Sequence, residues 1–132
     1  ALKESNRLKL AMKAVERALE LDPTLAQAYN NRGDIYLAEA RYEDALAEYR
    51  HATELSPKYV AALINMARTQ RDMDRPDEAM QTLQLAMDLE PANPEGLLVQ
   101  GVLHEQMGDR ERAAESFKSA ITTSPEMTVA HY

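Results

Sequence analysis

Apolar and polar positions follow one another along this chain with helical spacing. Tyr29, Gly33 and Tyr36 fall at i, i+4 and i+7, on one face of an α-helix. Ala45, Tyr49 and Ala52 repeat that spacing further on, with Leu46 and Leu55 alongside. Chain breakers separate such stretches. Gly108 followed by Asp109 reads as the C-terminal glycine of one helix and the N-cap of the next. Pro76 suits a first helical turn, where its missing N–H costs nothing. The pattern predicts an all-α chain with almost no residues left for strands.

A fixed period organises these helices. Pro23, Pro57, Pro91 and Pro125 are each 34 residues apart, and so are Ala11, Ala45, Ala79 and Ala113. Ala18, Ala52, Ala86 and Ala120 form a third column, and Val15, Tyr49, Leu83 and Phe117 a fourth, large and apolar. A small residue recurs as Gly33, Ala67 and Gly101, with Tyr29, Leu63 and Leu97 four positions earlier. Proline disfavours α geometry in the residue before it, so the in-phase prolines end the second helix of each period. Each period is therefore a helix–turn–helix.

The small columns have a packing reason. Where two helices cross at closest approach, one must present Gly or Ala so that the other's bulk can nest. Gly33, Ala67 and Gly101 let the first helix approach the second, and Ala45, Ala79 and Ala113 make the reciprocal concession. The alanines at 52, 86 and 120 are expected to face the first helix of the following period. A lone helix pair cannot bury both faces, so stability must come from stacked neighbours.

These residues resemble the tetratricopeptide repeat, whose signature is W-x2-L-G-x2-Y, then A-x3-F, then P. The unit 26–59 carries Tyr29, Gly33, Tyr36, Ala45, Tyr49, Ala52 and Pro57 in the matching places. The unit 60–93 carries Leu63, Met66, Ala67, Ala79, Leu83, Ala86 and Pro91, and the unit 94–127 carries Leu97, Gly101, Ala113, Phe117, Ala120 and Pro125. Departures are Arg32 and Gln100 in place of Leu, and Gln70 and His104 in place of Tyr. The resemblance implies an all-α, right-handed solenoid of stacked antiparallel helix pairs. Residues 1–25 read as a partial unit with a turn near Asn6 and a second helix from about Leu8 to Leu21, and residues 128–132 as the start of a further unit. The chain begins at Ala1 and shows no polar capping repeat, so the expectation is an excerpt of a longer array whose ends promote self-association.

Composition narrows the chemistry. The 132 residues carry 15 basic and 22 acidic side chains, a net charge of −7. Such a chain repels phosphate, and no unit has a basic excess beyond +1, so nucleic-acid binding is not expected. Uncharged stretches reach only nine residues, as from Gly96 to His104, far short of the roughly 20 a membrane span needs. A soluble chain is expected, with the cytoplasm favoured. Cys is absent, which excludes disulfides, thiolate metal sites and cysteine nucleophiles. His51, His104 and His131 form no catalytic arrangement with Ser and Asp. Glu48 with His51 is one half of a di-iron motif that needs two such pairs, so an ion pair or a packing role is expected for His51. His104 is expected to pack. Met66, Met73, Met80 and Met87 straddle a turn and read as adaptable core filling. No catalytic residue, metal or cofactor is expected.

What the resemblance implies about function is a concave groove, lined by the first helices, that holds a peptide or helix of a partner protein. The candidate partner-binding residues are Gln27, Asn30, Asn31 and Asp34 in the first full unit, Ile64, Asn65, Arg68 and Arg71 in the second, and Leu98 and Val102 in the third. Asn31 and Asn65 are one period apart and resemble a backbone-gripping asparagine ladder; solvated asparagines without a ligand are the alternative. Arg68 and Arg71 offer bidentate recognition of a carboxylate, unless Arg68 pairs with Asp72 along the helix. Leu98, Val99 and Val102 are apolar enough to anchor a ligand side chain, or to be covered by another part of a parent protein. The lysine, arginine and asparagine clamp by which some family members hold chaperone C-termini is not met by Asn30, Asp34, Glu95 and Val99. The competing reading is an architectural spacer with its groove filled from within.

Overall fold

The computed structural model describes residues 2–123. Their structure is seven helices joined by short turns, with no strand among the described residues. The helices are α1 (Leu2–Leu21), α2 (Ala26–Ala38), α3 (Tyr42–Leu55), α4 (Val60–Asp72), α5 (Pro76–Leu89), α6 (Pro94–Gln106) and α7 (Arg110–Thr123). Pro125, His131 and the unit start at 128–132 lie outside the described residues.

Two kinds of turn alternate. After α2, α4 and α6 the chain closes with the same double hydrogen bond: Arg41 N–H donates to Tyr36 C=O at 2.8 Å, Arg75 to Gln70 at 2.9 Å and Asp109 to His104 at 2.7 Å. Ala40, Asp74 and Gly108 each donate to the carbonyl three residues back, which completes a Schellman cap. All three sit at positive φ. Asp109 then caps α7 as expected, its carboxylate accepting from Arg112 N–H at 3.1 Å. After α1, α3 and α5 the helix ends two residues before the in-phase proline, as the steric restriction on the preceding residue requires.

The N-terminal turn expected near Asn6 is not formed. One helix of 20 residues runs through it from Leu2 to Leu21. No Gly or Pro precedes Pro23, and one Asn among Arg, Lys, Leu and Ala costs a helix only a few tenths of a kcal/mol, about 0.6 relative to Ala.

Packing follows the small columns. α2 lies on α3, α4 on α5 and α6 on α7, with Ala45, Ala79, Tyr49 and Leu83 fully buried at the seams. Ala52 faces the next unit, sharing a cluster with Tyr29 and Ala62. Met66 and Met87 belong to the main core, with Met73 and Met80 packed against it, so the four methionines fill rather than line. First helices also touch each other, α2 with α4 and α4 with α6, whereas no second helix reaches another second helix among the described residues. That asymmetry bends the stack: the first helices draw together on an inner wall and the second helices splay on an outer one.

Candidate functional site

The inner wall is built by α2, α4 and α6. Equivalent positions one period apart bring different chemistry to adjacent rungs along it, and the candidate residues separate into three groups.

The first group lies at the junction of α2 and α4. Asn65 is half-buried, and its Nδ2 donates to Asn30 Oδ1 at 3.1 Å and to Asp34 Oδ1 at 3.4 Å. The Tyr49 hydroxyl donates to the same Asp34 oxygen at 2.5 Å. Asn30 is 93 % buried (7 % exposed), and its side chain favours the ionised form of the nearby Tyr59 phenol. Burial, then the Asp34 carboxylate that holds its proton, push the Tyr49 pKa well above the ordinary phenol value, while the Arg68 charge pulls weakly the other way. Tyr59 is raised as well, by burial and then by the Asp34 charge, partly offset by the Asn30 side chain. The alternative that Asn31 and Asn65 are solvated and idle therefore fails for Asn65. Asn30 is corrected from a groove contact to a supporting group, because its side chain is consumed by the network.

The second group joins α4 to α6. Arg68, Arg71, Glu95, Leu98, Val99 and Val102 line one depression of about 260 Å³. The structure thus brings the two arginines and the apolar patch, read separately in the sequence, to a single place. Arg71 is tied to its neighbour Asp72 at 3.3 Å. The alternative pairing of Arg68 with Asp72 is not formed, and Arg68 has no ion pair among the described residues. Leu98 and Val102 are half-buried, Val99 buried. Ile64 is a second correction: at 1 % exposure it belongs to the core, against the position of Gly96, and offers the groove almost no surface.

The third group sits at the N-terminal edge. Gln27 and Asn31 are exposed and line a depression shared with Ala14, Val15, Ala18, Leu25 and Ala28, between α1 and α2. Asn31 and Asn65 are a period apart but live in different surroundings: Asn31 borders the α1–α2 depression, whereas Asn65 meets Asn30 and Asp34 of α2.

Sequence reasoning missed the two tyrosines behind the wall. Tyr49 read as a core residue only; the signal was a hydroxyl in a column whose other members, Val15, Leu83 and Phe117, have none. A further apolar depression of about 440 Å³, lined by Thr53, Pro57, Leu63, Met66, Leu85, Asp88 and Leu89, also went unread. Two of the four departures from the repeat signature, Arg32 and Gln100, have partners that account for them. Arg32 pairs with Glu48 at 2.7 Å and lies 5.5 Å from the Tyr29 ring, whose plane His51 stacks on at 3.9 Å. Gln100 accepts from Ser116 at 3.2 Å.

Family models for the tetratricopeptide repeat match residues 36–101, residues 14–47, and residues 1–25 with 94–127. The chain belongs to the tetratricopeptide repeat family. Among curated proteins, this tetratricopeptide array is 25% identical over 122 residues to anaphase-promoting complex subunit 3 of Schizosaccharomyces pombe, covering 92% of this chain and 18% of that one. It is 23% identical over 124 residues to Hsp70-Hsp90 organizing protein 3 of Arabidopsis thaliana (94% of this chain, 22% of that one). It is 28% identical over 124 residues to tetratricopeptide repeat protein 6 of Homo sapiens (94% and 24%). The chain thus spans about a fifth of the length of these relatives. Its fold matches a crystal structure of MamA with a TM-score of 0.76 at 22% identity, over 92% of this chain and 70% of that one. A MamA double mutant matches with a TM-score of 0.78 at 19% identity, over 96% and 71%.

Proposed function

We propose that the array is a non-catalytic scaffold for protein–protein interaction, and that it holds an extended peptide or a helix of a partner in the inner groove. The observation that carries this reading is the α4–α6 depression, where Arg68, a cation with no ion pair among the described residues, borders the apolar side chains of Leu98 and Val102. An apolar recess beside such a guanidinium suits an acidic group next to an aliphatic side chain. Asn65 supplies a polar rung one turn away on the same helix. The names of the relatives, a subunit of a complex and an organizer of two chaperones, agree with a scaffold. The groove itself, with Asp34 and Glu95 at its rim, gives no support to a chaperone-tail clamp.

The test is selection from a random peptide display library. Peptides that pair an acid with an aliphatic residue are expected on the native chain. The combined variant Asn65→Ala, Arg68→Glu, Val102→Asp is expected to lose them with its helical circular dichroism unchanged. Retention by that variant would move the binding surface to the apolar depression beside Leu85 and Leu89, and a library yielding no binder would favour the architectural spacer.

A further inference from the structure

We infer that Asp34 is a positioning residue for recognition: backed by Tyr49, it turns the Asn65 amide so that this rung accepts a hydrogen bond from a partner's backbone N–H and has none to give. The inference rests on the groove reading above. Its basis is a count of donors and acceptors. A carboxylate only accepts, so whatever stands beside the Asp34 oxygen must donate, and both Tyr49 Oη and Asn65 Nδ2 do. The other contact of that Nδ2 is Asn30 Oδ1, a carbonyl oxygen and so again an acceptor. Reversing Asn65 would replace two hydrogen bonds by two oxygen–oxygen contacts, one of them to a full negative charge. The amide hydrogens are therefore directed inward. Asn65 Oδ1 has no partner among the described residues, and it is not sealed from solvent, since the one buried side-chain atom without a partner among them is Gln70 Oε1.

The neighbouring rungs lack this device. Asn31, which shares its depression with Ala14, Val15, Ala18, Leu25, Ala28 and Gln27, makes no side-chain hydrogen bond among the described residues, so nothing there fixes which end of its amide it presents. Val99 has no polar group. An extended peptide shows N–H and C=O alternately along one edge, so a fixed acceptor at Asn65 selects one register and rejects proline or an N-methyl group at one peptide position.

A peptide selected on the native chain, resynthesised with single N-methyl groups, tests the ligand half. One position is expected to lose affinity about tenfold on the native chain, and to lose none on Asn65→Ala or on Asp34→Asn, whose own amide can donate and so frees Asn65 to turn. Nuclear magnetic resonance of the Asn65 side-chain amide tests the positioning half without ligand. Its protons should exchange slowly in the native chain, faster in Tyr49→Phe and fastest in Asp34→Ala. Equal exchange in native chain and Asp34→Ala overturns the positioning, and tolerance of every N-methyl group by the native chain overturns the acceptor role. A library that yields no peptide sinks the groove reading and the ligand half together, while the exchange experiment still decides whether Asp34 orients Asn65.

Discussion

The Tyr49 ring occupies the space that a side chain on Gly33 would need: a β-carbon there would stand 2.6 Å from Cε1. The third hairpin repeats the relationship, with a Gly101 β-carbon 2.5 Å from the Phe117 ring. In the middle hairpin the same columns hold Ala67 and Leu83, both fully buried. A flat ring therefore pairs with no β-carbon, and a branched aliphatic chain with one. Gly101→Ala should gain about 1 kcal/mol of helix propensity and lose about 1–3 to overpacking, a net destabilisation of roughly 1 kcal/mol. In a Phe117→Leu background that cost should fall by about 1 kcal/mol, a coupling that a double-mutant cycle in urea measures. Independent effects would show that the ring moves aside freely.

The three Schellman turns solve one backbone problem with different residues. Ala40 and Asp74 sit at φ of 59° and 60°, and Gly108 at 81°. Left-handed geometry costs an L-residue about 1–2 kcal/mol, partly returned by the lower freedom of the unfolded chain. Ala40→Gly is expected to stabilise by about 0.5–1 kcal/mol and Gly108→Ala to destabilise by a similar amount, read as opposite shifts of the thermal midpoint. Shifts of the same sign would mean that the turns are not equivalent.

The architecture was legible because each column has a local cause. Gly33 against Tyr49 and Pro57 beyond Leu55 need no knowledge of distant parts. The wall was less legible, because its chemistry depends on how far neighbouring first helices interpenetrate. Helical spacing places Ile64 and Leu98 on equivalent faces, yet Ile64 is sealed against Gly96 of the following unit and Leu98 is half-open. The polarity of Asn65 depends on Asn30 and Asp34, 35 and 31 residues away. The Asn6 turn failed for the opposite reason: phase called for a break where no residue enforces one.

Gln70 stands where the repeat signature has Tyr, and its buried Oε1 has no partner among the described residues. An unsatisfied buried acceptor costs about 1–3 kcal/mol. Gln70→Met keeps the length of the side chain and removes the carbonyl, so a gain of about 1 kcal/mol is expected from the urea midpoint. A loss instead would mean that the amide makes a hydrogen bond through water.

Tyr49 ties stability to pH on the alkaline side. Its pKa is raised in the folded chain, first by burial and then by the hydrogen bond to Asp34, and Tyr59 is shifted the same way. A raised phenol pKa means that the folded state keeps its proton where the unfolded state has lost it. The contribution is complete below the unfolded value of about 10 and declines as pH rises above it. Each such group steepens the loss by up to about 1.4 kcal/mol per pH unit. Near pH 7, Tyr49→Phe removes a charge-assisted hydrogen bond and should cost about 1.5–3 kcal/mol. Above pH 10 the native chain should lose stability faster than the variant, so that the two unfolding curves converge. Parallel curves between pH 9 and 11 would show that the Tyr49 hydroxyl is not held by Asp34, and with it the anchor of the Asn65 rung would go.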